Sequence, residues 1–174
     1  GPLAAPGEYR VNLAKRVAGQ LTALGPEQSF TVRPMRERGL PGATPAEVVE
    51  FGLRLDDLNR QFTSAGAAAK TSLTEAQAIN TPRLRSTASE DLHQPALAIE
   101  SELLEVQVMM TGHARREMHN EYGAASIGRR LEVAMMGNFR STYGPTATHI
   151  EQVEIAETQL SEVKSRLHKV MEQA

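Results

Sequence analysis

Few residues in this chain have types and spacing suited to chemistry, and His113, Glu117 and His119 are the first to weigh. Residues four apart share a helix face, so His113 and Glu117 could offer two ligands to one ion. His119 falls two residues beyond Glu117, on another face, and the His-Glu-x-x-His order that makes two histidines converge is absent. A solvated helix end is the expectation, without a metal. Two acidic triplets follow, Glu100, Glu102 and Glu105, then Glu151, Glu154 and Glu157. Paired carboxylates do acid–base work only in a cleft that shifts their proton affinity. Both triplets sit near the first turns of expected helices, where carboxylates complement the helix dipole, and are read as surface charge.

Nucleophilic and phosphate chemistry lack their frameworks. There is no Gly-x-Ser-x-Gly elbow, no Gly-x-Gly-x-x-Gly turn and no Gly-Lys-Ser/Thr loop. The chain has no cysteine, which excludes disulfides, thiolate ligands and a thiol nucleophile. The expected catalytic, cofactor-binding and metal-binding residues are therefore none. Arg115-Arg116 and Arg129-Arg130 could grip an anion or an acidic partner, but are expected on a solvated helix face. Met109-Met110 and Met135-Met136 are expected as adaptable core packing rather than a binding groove. The segment from Gly137 to Thr148 combines turn residues, Phe139, Tyr143 and several hydroxyls. It is expected to join two helices, with the two rings plugging the bundle end and a threonine capping the next helix.

The elements that would hold these residues follow from composition and period. The 174 residues are 40% hydrophobic and 23% charged, enough apolar material for a folded domain. Aromatics are only 4%, so the core must come mainly from Leu, Val, Ile, Met and Ala, which suit helix-on-helix packing. Charge is uneven: residues 1–43 hold six Lys/Arg against three Glu, and residues 44–174 hold thirteen Lys/Arg against eighteen Asp/Glu. A nucleic-acid binder would carry a basic stripe, and the helical part is mildly acidic, so no nucleic acid is expected. No apolar run reaches the roughly 18–20 residues that span a bilayer, and no membrane insertion is expected.

The first third reads as strands at about 8–17, 20–24 and 29–33, with apolar residues at every second position and Gly25-Pro26 as a turn. So few strands have little core of their own and must lean on helices, pair with another chain or end a larger β-domain. Residues 34–43 form a Pro/Gly-rich linker that stops at Thr44-Pro45-Ala46-Glu47, a helix start with capping hydroxyl, first-turn proline and Glu three residues on. Val48, Phe51, Leu55, Leu58, Phe62, Ala65, Ala69, Ser72, Ala76 and Ile79 then alternate in threes and fours, a heptad seam over a helix from about 45 to 80. Thr81-Pro82 should end it, and residues 82–94 should be a polar connection. A second helix from Pro95 carries Ala96, Ile99, Leu103, Val106, Met110 and His113 as its seam and frays between Gly112 and Gly123. A short helix capped by Ser126 presents Ile127, Leu131, Ala134 and Met135, and Gly137-Asn138 weakens its end. The last helix, about 146–172, presents Val153, Ala156, Leu160, Val163, Leu167 and Val170.

Long amphipathic helices cannot each bury a stripe alone. The expected fold is mainly α: an antiparallel bundle of three long helices and one short one over 44–174, with an N-terminal β-hairpin or three-stranded fragment and linker over 1–43.

Ser141-Thr142-Tyr143-Gly144-Pro145-Thr146-Ala147-Thr148 before a long helix resembles the C-terminal region of bacterial exported proteins of the sortilin-like family. Their front part is a β-propeller of BNR (Asp-box) repeats, often labelled glycosyl hydrolase. Ala5-Pro6-Gly7-Glu8-Tyr9-Arg10-Val11 and Phe30-Thr31-Val32-Arg33-Pro34 resemble the closing strands of the β-sandwich that precedes the tail in that family. The family pattern carries Trp ahead of the Ser-Thr-Tyr-Gly-Pro loop, where this chain has Phe139. The resemblance implies a non-catalytic accessory or interaction domain of a secreted or cell-surface protein, packing on parent β-domains or self-associating. A cytosolic coiled-coil scaffold, or a small metal-binding or enzymatic module using His113–His119, are the alternatives from other classes.

Overall fold

The computed structural model describes residues 4–35, 39–83, 93–121, 123–139 and 141–173. It is mainly helical, with a small set of antiparallel strands at its N-terminal end, as the periodicity predicts. The strands are β1 (Gly7–Val11), β2 (Ala14–Val17), β3 (Gln20–Ala23) and β4 (Gln28–Val32). The helices are α1 (Pro45–Arg83), α2 (His93–Thr111), α3 (Ala114–Met118), α4 (Ile127–Phe139) and α5 (Ala147–Gln173).

Four strands replace the three expected, because the first expected strand divides at Asn12-Leu13. β1 pairs with β4 and β2 with β3, so the whole is one long hairpin with an interruption. Val11 faces Gln28 while the Leu24 N–H donates to the Leu13 carbonyl, so the returning side carries two additional residues around Gly25-Pro26. That bulge breaks the ladder, and its even count keeps side-chain alternation in phase across it. The tip closes in two residues, Ala18 (φ 48°) and Gly19 (φ 85°), the doubly left-handed turn whose twist matches the strands.

α1 starts as a reciprocal capping box. The Glu47 N–H donates to Thr44 Oγ1 (3.3 Å) and the Thr44 N–H to Glu47 Oε2 (2.6 Å). Val48, Phe51, Leu55, Leu58, Ala65 and Ala69 are buried as the seam predicts, but its far end is corrected. Ser72 gives way to buried Leu73, Ile79 is 53% exposed, and Asn80 is only 5% exposed. An α-helix slips by about 20° per heptad against a 3.5-residue repeat unless it supercoils. By Ile79 the slip is roughly 80°, which turns that side chain out and brings Asn80 in. α1 also runs through Thr81-Pro82 to Arg83 instead of stopping before the proline. Asn80 Nδ2 holds this end by donating to the Ala96 carbonyl (3.1 Å) and Glu100 Oε2 (2.7 Å) on α2. Most of the connection expected at 82–94 lies outside the described residues.

Side-chain pairs give the relative directions. Arg54 meets Glu157 and Gln61 meets Lys164, both 103 residues apart, so α1 and α5 run parallel. Asn80 meets Ala96 and Gly66 meets Met110, so α2 runs against α1. Arg130 meets Gln152 and Gly137 meets His149, so α4 runs against α5. Gly128 at the start of α4 lies against both the Met110 carbonyl and the Phe62 ring. α2 and α4 thus follow one another along α1 as two halves of one broken leg, with α3 lying in sequence between them. One core runs through all of them, and every predicted seam residue of α5 from Val153 to Val170 is buried in it.

Candidate functional site

His113 is not part of the α2 seam. α2 ends at Thr111 with Gly112 left-handed (φ 84°), its N–H donating to the Val108 carbonyl, and His113 stands exposed before α3. This is a glycine helix stop, and any side chain there would meet the Glu117 carboxylate, 2.5 Å from where a Cβ would lie. His119 ends α3 on the exposed side, and its N–H donates to the Arg116 carbonyl. Among the described residues no three His, Cys, Asp or Glu side chains are grouped to hold a metal ion.

Four of the six triplet carboxylates meet partners on other helices. Glu102 and Glu105 both accept from Arg166 of α5, Glu102 through two guanidinium nitrogens and Glu105 at 2.6 Å. The same guanidinium reaches Met109 Sδ at 3.1 Å. Glu157 takes both arms of Arg54 at 2.7 and 2.6 Å, and Glu100 accepts from Asn80. These planar two-point pairs are geometrically demanding and set helix register. Hydrogen bonding to Arg166 pulls the Glu102 carboxyl below its ordinary range, and hydrogen bonding to Glu157 raises Arg54. A general acid working near neutrality needs the opposite displacement.

The arginine pairs separate. Arg116 lies 3.6 Å from Glu121, Arg129 pairs with Glu132 at 2.6 Å, and Arg130 donates to Gln152 Oε1 at 2.6 Å. Of the methionines, Met110 is buried, Met109 and Met135 pack against the core, and Met136 is exposed.

The loop after α4 works mainly as a joint. The Ala43 N–H donates to the Tyr143 carbonyl (2.9 Å), and Gly144 (φ 95°) lies against Ala43 and Val48. This ties the start of α1 to the start of α5. Thr146 caps α5 as expected, accepting from the His149 N–H at 3.3 Å, while His149 Nδ1 accepts from the Thr146 N–H at 3.2 Å. Tyr143 does not plug the bundle end, since it is 41% exposed and shields the Gly42-Ala43 backbone instead. The Phe139 side chain lies outside the described residues. Gly137 and Asn138 lie in the last turn of α4, which ends at Phe139, and Gly137 makes room for the His149 ring.

Among the described residues, two further surfaces stand out. The break between α2 and α4 leaves a groove of about 910 Å³, walled by Met109, Gly112, Arg116, Glu117, Arg129 and Glu132, with Gln159 of α5 among its lining. Gln159 Oε1 is buried there without a hydrogen-bond partner. The second surface is the hairpin. Alternation puts Tyr9, Val11 and Leu13 on one face with Leu24, Phe30 and Val32, while Arg10, Asn12 and Glu27 bond on the other. Tyr9 and Phe30 stack at 5.8 Å, but Val11, Leu13, Leu24 and Phe30 are 52, 67, 54 and 50% exposed. The strands make their substantial contacts with one another and not with the helices.

In comparisons with known proteins, no family model, no curated protein and no solved structure matches the chain.

Proposed function

We propose that this chain is a non-catalytic accessory domain whose helices form a self-satisfied antiparallel bundle and whose N-terminal hairpin docks on another protein surface. The uncovered apolar face of the hairpin carries this reading. An isolated two-stranded hairpin is marginal in water and needs further strands or a packed face to persist. The bundle here does not supply that face. Glu102, Glu105 and Glu157 are occupied in register-setting pairs between helices, which favours an architectural use of these charged residues over a chemical one. The resemblance of the Ser141–Thr148 loop and of the closing strands supports a place at the end of an exported bacterial propeller protein, with parent β-domains as the partner. Among the described residues, no helix is long and apolar enough to cross a membrane.

The test is light scattering across a concentration series, with Val11→Asp/Phe30→Asp beside the unaltered chain, alone and mixed with separately produced parent β-domains. Docking through the hairpin predicts binding or self-association that the double variant loses by tenfold or more while its helical circular dichroism is unchanged. A monomer that binds nothing in either form would sink the reading. A scaffold reading, in which helices carry the partner, is favoured by Ile79 and Leu53 standing out on α1. Association that survives the hairpin variant but is lost in Leu53→Asp would select it.

A further inference from the structure

We draw no further inference here: the strongest candidate, the uncovered apolar face of the β1–β4 hairpin, is the surface already proposed for docking, and nothing in the structure shows which particular partner covers it.

Discussion

Single residues decide the sign of several backbone effects. Ala18 holds a left-handed conformation that costs a β-carbon about 1–2 kcal/mol, and asparagine tolerates it better. Ala18→Asn should therefore raise hairpin stability by roughly 0.5–1 kcal/mol, seen as increased amide protection of the β2–β3 ladder. Gly112→Ala forces a β-carbon into a left-handed φ, while the exposed Glu117 carboxylate can swing aside, and should lower the unfolding free energy by about 1 kcal/mol in a urea melt. Gly137 is a sharper case. Helix propensity favours Ala there by about 1 kcal/mol, yet the new methyl would lie 2.1 Å from the His149 ring. Gly137→Ala should destabilise, and Gly137→Ala/His149→Ala should recover much of the loss in a urea melt. Equal effects in both backgrounds would refute the steric account. Gly112 and Gly137 are legible in the sequence as helix-weakening positions, but the left-handed φ of Ala18 and the contact of Gly137 with His149 are not, since the latter joins two helices across a loop.

At the scale of elements, the helix starts were the most readable features, because capping uses neighbours in sequence. Thr44 with Glu47 and Thr146 with His149 both form reciprocal caps. Thr146→Ala should cost about 1 kcal/mol, measured by thermal or urea unfolding. Register between helices was not readable, since Arg54–Glu157 and Arg166–Glu102 join residues 103 and 64 apart. Arg166 is 21% exposed but Glu102 and Glu105 are 37% and 65% exposed, so Arg166→Ala should cost only about 1 kcal/mol by leaving two solvated carboxylates side by side without their cation. The pH dependence follows in sign. The folded Glu102 carboxyl sits below its ordinary value, so its contribution is present above about pH 4.5 and lost as pH falls through the lowered folded value. Partial exposure screens this pair, so the expected effect is modest. Glu102→Gln should flatten the acid limb of stability against pH; an unaltered limb would mean the pair contributes nothing net.

The whole molecule is a broken-legged helical stack with a hairpin standing off it. Removing the hairpin's apolar face should leave the bundle's cooperative unfolding untouched, because the strands share no substantial interface with the helices. Scanning calorimetry of the Val11→Asp/Phe30→Asp variant should return the same main transition; a shifted midpoint would show that the hairpin and bundle are energetically coupled. By itself the sequence determined where α1, α4 and α5 begin, which side of α5 is buried, and the strand alternation, since cap chemistry and side-chain period are local properties of the backbone; α2 starts two residues before the expected Pro95, and α3 was not legible. Only the tertiary structure decided that Ile79 faces out and Asn80 in, that α2 and α4 share one leg, and that Glu100, Glu102, Glu105 and Glu157 serve Asn80, Arg166 and Arg54. Those outcomes depend on accumulated helix phase and on contacts between residues far apart in the chain, and no local pattern records either.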